Sequence, residues 1–198
     1  MSLETKRPLA KVLAELDDFT NLIRPNCCCL RWKVAGSIRR QRAEVSDVDI
    51  VAIPTCADVP VEGSLLGDTE RRNLLWQRVD DLVKLGTFTH HMKETDAGPR
   101  PKWGQTCRSI GFRGMAYEIT LADEANFGVW LAIRTGPAVM SKELVTRLPL
   151  VERGRYRFAG DFHIEERDGM SAPRPIPCPE EADFFRLCGM ACPPPHQR

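Results

Sequence analysis

The sequence predicts an α+β protein, and two kinds of pattern predict it. Apolar residues recur at helical spacing over 5–24, where Leu9, Val12, Leu13, Leu16, Phe19, Leu22 and Ile23 mark one face. Elsewhere apolar and polar residues alternate. Val48, Ile50 and Ala52 alternate with Asp47, Asp49 and Val51, and Tyr117, Ile119 and Leu121 with Ala116, Glu118 and Thr120. Runs of period two are strands with one buried face, and helices must supply part of the cover.

The elements follow in order. Pro8 is tolerated in the first turn of the first helix, and Pro25 stops it. Residues 29–34 read as a strand entering Gly36-Ser37, and 47–53 as a second strand. Pro54 to Gly67 shows no strong pattern and reads as a surface connection. Asp68-Thr69 is expected to cap a helix whose buried side is Leu74, Leu75, Val79, Leu82 and Val83, with Gly86 as its stop. A strand over 87–92 and a turn at Asp96-Ala97-Gly98-Pro99 come before a hairpin, 103–112 with 115–121, across Arg113-Gly114. Helices are expected over 127–136 and 138–148, then a hairpin over 157–166 and a Pro-rich loop from Pro173. Pro179-Glu180-Glu181 opens a last helix that Gly189 stops, and Pro193-Pro194-Pro195 is extended.

A chain of 198 residues forms one or two domains and can bury a substantial core. No apolar run approaches the roughly eighteen residues a membrane helix needs. Met1 to Lys11 lacks the apolar centre of a signal peptide. A cytoplasmic or otherwise intracellular protein without membrane contact is therefore expected. The net charge of +1 gives no global field to draw in nucleic acid. Two local patches could serve instead: Arg31, Lys33, Arg39, Arg40 and Arg42, and later Arg147, Arg153, Arg155 and Arg157. The eight cysteines include no C-x-x-C pair, so they read as thiols rather than as zinc ligands or disulfides.

The chemistry concentrates at two places. Period-two geometry puts Asp47 and Asp49 side by side on one face of a strand. Two carboxylates so close repel, and a hard divalent cation resolves the conflict through oxygen ligation. Ten residues before Asp47, Gly36-Ser37 ends a strand; glycine permits close backbone approach, and a turn with a hydroxyl suits phosphate. Arg39, Arg40 and Arg42 add donors that can grip phosphate in a bidentate way.

Gly36-Ser37, Arg39-Arg40 and then Asp47-Val48-Asp49-Ile50 together resemble the nucleotidyltransferase signature of family X DNA polymerases, the DNA polymerase beta family. The resemblance implies a palm domain over 1–122, a mixed sheet with helices on one face, and a small α/β nucleotide- and template-facing subdomain over 123–198. It covers nearly the whole chain and leaves out the amino-terminal lyase domain and the helix-hairpin-helix modules of larger members. Asp47, Asp49 and Glu118 would be the catalytic, metal-binding carboxylates, holding Mg²⁺ or Mn²⁺. Gly36, Ser37, Arg40, Thr135 and Gly136 would bind the nucleoside triphosphate, and Lys142 and Arg147 would face nucleic acid. The implied protein is a monomer that binds DNA weakly and adds nucleotides to a 3′-hydroxyl in repair or gap filling. Transfer to RNA, a protein or a small molecule is the alternative, and an inert DNA-binding module is a further one. The chain departs from the family twice. Glu118 stands where the family carries Asp, and Ile133-Arg134 stands where two aromatics screen the sugar. Weak selection against ribonucleotides is expected, with Arg134 available to a 2′-hydroxyl or a phosphate.

Overall fold

The valine, leucine and phenylalanine stripe near the start of the chain forms α1 (Leu9–Ile23), with Val12, Leu16, Phe19 and Ile23 buried. The computed structural model describes residues 6–24, 28–60, 63, 67–96, 98–167 and 172–198. Pro25 as a helix stop, Cys27 and Ala97 of the expected turn lie outside the described residues. After α1 come β1 (Cys29–Val34), a four-residue helix α2 (Gly36–Arg39), β2 (Asp47–Pro54) and α3 (Leu74–Lys84). Then follow β3 (Thr89–His90), β4 (Cys107–Phe112) and β5 (Met115–Leu121). The protein is mixed α+β, and its main sheet has the order β1–β2–β5–β4–β3. β2 and β5 run parallel and the other neighbouring pairs of this sheet antiparallel, so the sheet is mixed.

Alternation decides what each face of this sheet meets. Val48, Ile50 and Ala52 of β2 and Tyr117 and Ile119 of β5 point into one core, under α1 and α3. Phe19 stacks on Tyr117 at 4.0 Å and on Phe88 at 5.1 Å, pinning α1 across the sheet. The opposite face carries an apolar cluster at one end. There Val51 and Ile53 pack with Ala35, Ala122, Phe127 and Leu131. Asp47 and Asp49 share that face, at the other end of β2.

The rest of the chain is α4 (Phe127–Thr135), α5 (Ala138–Arg147), the strands β6 (Tyr156–Ala159), β7 (His163–Glu166) and β8 (Arg174–Ile176), and α6 (Glu181–Leu187). Val129, Ala132, Leu144, Leu148, Ile164, Phe184 and Phe185 form its own core. Gly128 lets α4 meet the turn before α6, because a Cβ there would overlap the backbone carbonyl of Glu180.

Several expectations need correction. The strand expected over 87–92 is broken: Thr89–His90 pairs in the main sheet, whereas Met92–Lys93 pairs with Arg100–Pro101. Pro195, expected to be extended, begins a short 3-10 helix. The stretch read as a connection, 54–67, contains a strand, Cys56–Pro60, paired antiparallel with Thr69–Asn73. That pairing takes up Thr69, so Asp68-Thr69 does not cap α3; the Asn73 side chain accepts from the Trp76 N–H at 3.0 Å instead. The strand expected over 103–112 starts at Cys107, and Trp103 only bridges to Arg108. The Pro-rich loop after Pro173 holds β8, an edge strand where proline is tolerated. The hairpin across Arg113-Gly114 and the Gly86 stop follow the sequence reading. Among the described residues, no helix is long and apolar enough to cross a membrane.

Candidate functional site

The parallel register of β2 and β5 sets Glu118 directly beside Asp49, and Ala116 beside Asp47. Three acids two residues apart or directly across thus share one patch of the sheet. The Asp49 side chain is 19% exposed and that of Glu118 is 9% exposed. Ser46 donates to Asp47 Oδ1 at 3.3 Å.

The turn after β1 closes over this patch. Ala35 N–H donates to the Asp49 carbonyl at 2.8 Å, and Gly36 follows with φ +60°. A Cβ on Gly36 would overlap Asp49 Oδ2, so glycine is required both for the backbone conformation and for the approach of the carboxylate. Ser37 Oγ, next in sequence, is buried without a hydrogen-bond partner, as are Arg40 Nε and Arg134 Nε. Buried polar atoms are normally paired; Tyr117 Oη and Trp130 Nε1 are unpaired too, but Ser37 Oγ and Arg40 Nε belong to the turn and helix beside the carboxylates.

Electrostatics separate the acids. Burial, then the neighbouring charge of Asp47, pushes the Asp49 carboxyl up to about 6, against the pull of Arg134. Burial also works to raise Glu118, but the hydrogen bond from Lys102 and the charges of Arg134, Lys102 and Lys93 hold it at about 2. Lys102 Nζ donates to Glu118 Oε1 at 2.6 Å, Lys93 Nζ lies 3.4 Å from Oε2, and Arg134 forms an ion pair with Oε1. The Arg134 guanidinium also lies 3.7 Å from Asp49 Oδ1 and 3.7 Å from Cys107 Sγ. Its position follows from α4. The helix starts over Val51 and Ile53 at Phe127 and ends at Thr135 beside α2.

Four arginines of the first basic patch make contacts within the chain. Arg39 donates to Thr135 Oγ1 at 2.7 Å and to Glu181 at 2.5 Å, and Arg40 donates to the Thr135 carbonyl. Arg42 reaches the Arg198 carbonyl at 3.0 Å; Arg31 reaches the Pro179 carbonyl at 2.8 Å and lies over the Phe127 ring. These arginines fasten β1 and α2 to α4, α6 and the last residues. Arg198 itself, with a side chain only 1% exposed, donates to Glu181 at 2.7 Å. In the second patch, Arg155 pairs with Glu152 and Glu166, and Arg157 with Glu165. Arg153, Arg155, Arg167 and Arg174 line a concavity of 960 Å³ that none of the three carboxylates borders.

Gly36, Ser37, Arg40, Asp47, Asp49, Glu118 and Thr135 are therefore linked through contacts around one patch. Gly136 caps α4, its N–H donating to the Ala132 carbonyl at 3.0 Å. Lys142 is exposed on α5, whereas Arg147 ties α5 to α6 through the Cys188 carbonyl at 2.9 Å. Ile133 packs into the second core and Arg134 onto the carboxylates, so neither is free to lie along a sugar. Sequence reasoning missed Lys93 and Lys102. Lys93 pairs with Arg100 in the short hairpin of Met92–Lys93 with Arg100–Pro101, and Lys102 directly follows that hairpin. The Arg39–Glu181–Arg198 cluster left no local pattern at all. Among the described residues, no group of three or more His, Cys, Asp or Glu side chains is arranged to hold a metal ion. The described cysteines, Cys28, Cys29, Cys56, Cys107, Cys178, Cys188 and Cys192, are free thiols. The chain matches no protein-family model, and a search of curated proteins found no match to it.

Proposed function

We propose that this chain is a metal-dependent nucleotidyltransferase, a small family X-like DNA polymerase that adds nucleotides to a 3′-hydroxyl at short gaps. One observation carries the reading: the Gly36 turn lies so close to Asp49 that only a missing Cβ allows it. That closeness joins the phosphate-type turn to the carboxylates, the juxtaposition such a transfer requires.

The donor set suits a divalent cation at Asp47 and Asp49. Asp49 is a buried acid raised by a like charge, and a cation relieves that conflict. Bound there, Mg²⁺ or Mn²⁺ would neutralise phosphate charge and acidify an attacking hydroxyl. The chain's own groups do the rest. Ser37 Oγ and Arg40, both with unpartnered buried polar atoms, bind the triphosphate and offset charge on the departing pyrophosphate. Thr135 and Gly136, held to α2 by Arg39 and Arg40, border the nucleotide. The acceptor oxygen bonds to the α-phosphorus while the bond to the β-phosphate oxygen breaks. The hydroxyl proton passes to a carboxylate of the cluster.

A second reading, transfer to RNA, a protein or a small molecule, is favoured by one observation. Arg31, Arg39 and Arg42 are spent on internal contacts instead of forming an open cationic surface for DNA. Incubation with labelled nucleoside triphosphates and Mg²⁺ or Mn²⁺, with and without primed DNA, separates the readings. Extension that needs a primed template supports the polymerase. Label transferred in its absence supports the other acceptors, and DNA binding without turnover would leave an inert module.

A further inference from the structure

Arg134 lies between Asp49 and Glu118, the two acids that would hold a second metal ion if one were bound. Its guanidinium pairs with Glu118 Oε1 and lies 3.7 Å from Asp49 Oδ1, so it bridges the two acids across β2 and β5. It is held there from three sides. It contacts Cys107 Sγ at 3.7 Å, lies 5.8 Å from the centre of the Trp130 ring, and is only 22% exposed. Lys102 at 2.6 Å and Lys93 at 3.4 Å also pair with Glu118, which as a carboxylate keeps acceptor sites beyond these contacts. Asp47, Asp49 and Glu118 are thereby balanced by Lys93, Lys102 and Arg134. A dication entering between Asp49 and Glu118 would face a guanidinium at contact distance and two nearby ammonium groups. Each repulsion would be twice that between unit charges. The Asp47 side differs: Ser46 is its hydrogen-bond contact, and the unpartnered Ser37 Oγ belongs to the turn over Asp49.

We propose that this chain holds a single divalent cation, at Asp47 and Asp49, and that Arg134 supplies the positive charge at Asp49 and Glu118 in place of a second ion. The proposal rests on the nucleotidyltransferase reading and specifies how its site is charged. In it Glu118 is the anchor of Arg134, which accounts for an acid enclosed by three cations at a position expected to ligate metal. Arg134 is then fixed beside the acceptor side of the carboxylates and unavailable to a ribose hydroxyl.

The test counts ions on the full chain with Mn²⁺ alone, by equilibrium dialysis together with electron paramagnetic resonance. Two ions at the separation of a paired site, about 3.5–4 Å, couple magnetically, whereas a single ion does not. The wild type is expected to bind one Mn²⁺ with an uncoupled spectrum. Arg134→Gln is expected to bind two with a coupled spectrum, and Arg134→Lys to stay at one. Arg134→Met, which keeps an apolar stem against Trp130, replaces Arg134→Gln should the latter fail to fold by circular dichroism. A coupled pair in the wild type overturns the proposal but leaves the transferase reading standing. One ion in a folded Arg134→Gln or Arg134→Met protein also overturns it. No Mn²⁺ bound to any of these proteins overturns both.

Discussion

At the scale of single residues, Asp49 and Glu118 stand at adjacent positions and respond to pH with opposite signs. The folded state binds a proton to Asp49 more tightly than the unfolded chain does, with a carboxyl at about 6 against an ordinary 3.8. This favours the fold below about pH 4 and is lost as pH rises through 6. Without divalent cation, Asp49→Asn is therefore expected to stabilise the protein at pH 8 by up to about 3 kcal/mol while removing nucleotide incorporation. The gain should vanish near pH 3 in urea melts with a chelator present, and an equal gain at both pH values would contradict the account. Glu118 behaves in reverse. Its stabilisation is present above its ordinary value of 4.5 and is lost as pH falls towards 2. Glu118→Gln should cost about 2 kcal/mol at pH 7, discounted because Lys93 is half exposed, and much less at pH 2.5. A neutral effect at pH 7 would mean that the three cations do not depend on this acid.

At the scale of elements, α4 does most to shape the site. It begins over the apolar end of the sheet, ends at Arg134 and Thr135, and is fixed to the segment before α6 through Gly128. Gly128→Ala has no room beside the Glu180 carbonyl and should destabilise the protein by about 2–3 kcal/mol. A thermal melt that does not shift would show the two segments to be free to part. The cap of α3 gives a smaller, independent check. Asn73→Ala removes the acceptor for the Trp76 N–H and should cost about 1 kcal/mol, whereas Asp68→Ala should not reproduce that loss of helix capping. Local pattern located α1, β2 and β5 because apolar period sets them, and the Gly86 stop because glycine takes the left-handed φ of 73° there. It failed at 54–67 because that strand and its partner are largely exposed two-stranded pairing, with no buried face to impose an alternation.

At the scale of the whole molecule, the carboxylates were legible from spacing, and the enclosure of Glu118 was not. Asp47 and Asp49 follow from one strand's period. The Lys93, Lys102 and Arg134 contacts require three separate segments to meet, which no window of sequence encodes. The basic residues near Gly36 show the same limit: their charge was visible, but their use as fasteners to Thr135, Glu181 and Arg198 was not. With these cations spent internally and a net charge of +1, DNA affinity should be modest and carried by phosphate contacts. Its Kd should rise steeply between roughly 50 and 200 mM salt; a flat response would count against DNA as the partner. The central claim is that Asp49 belongs to a site for metal-dependent nucleotidyl transfer. Its most direct test is single-turnover extension of a primed one-nucleotide gap with a labelled deoxynucleoside triphosphate. The wild type and Asp49→Ala, both confirmed folded, are compared in Mg²⁺ and in chelator. The account predicts extension by the wild type in Mg²⁺, none in chelator, and a loss of at least about a thousandfold in Asp49→Ala. Undiminished extension by the folded Asp49→Ala protein, or none by the wild type with any acceptor or metal, would contradict it.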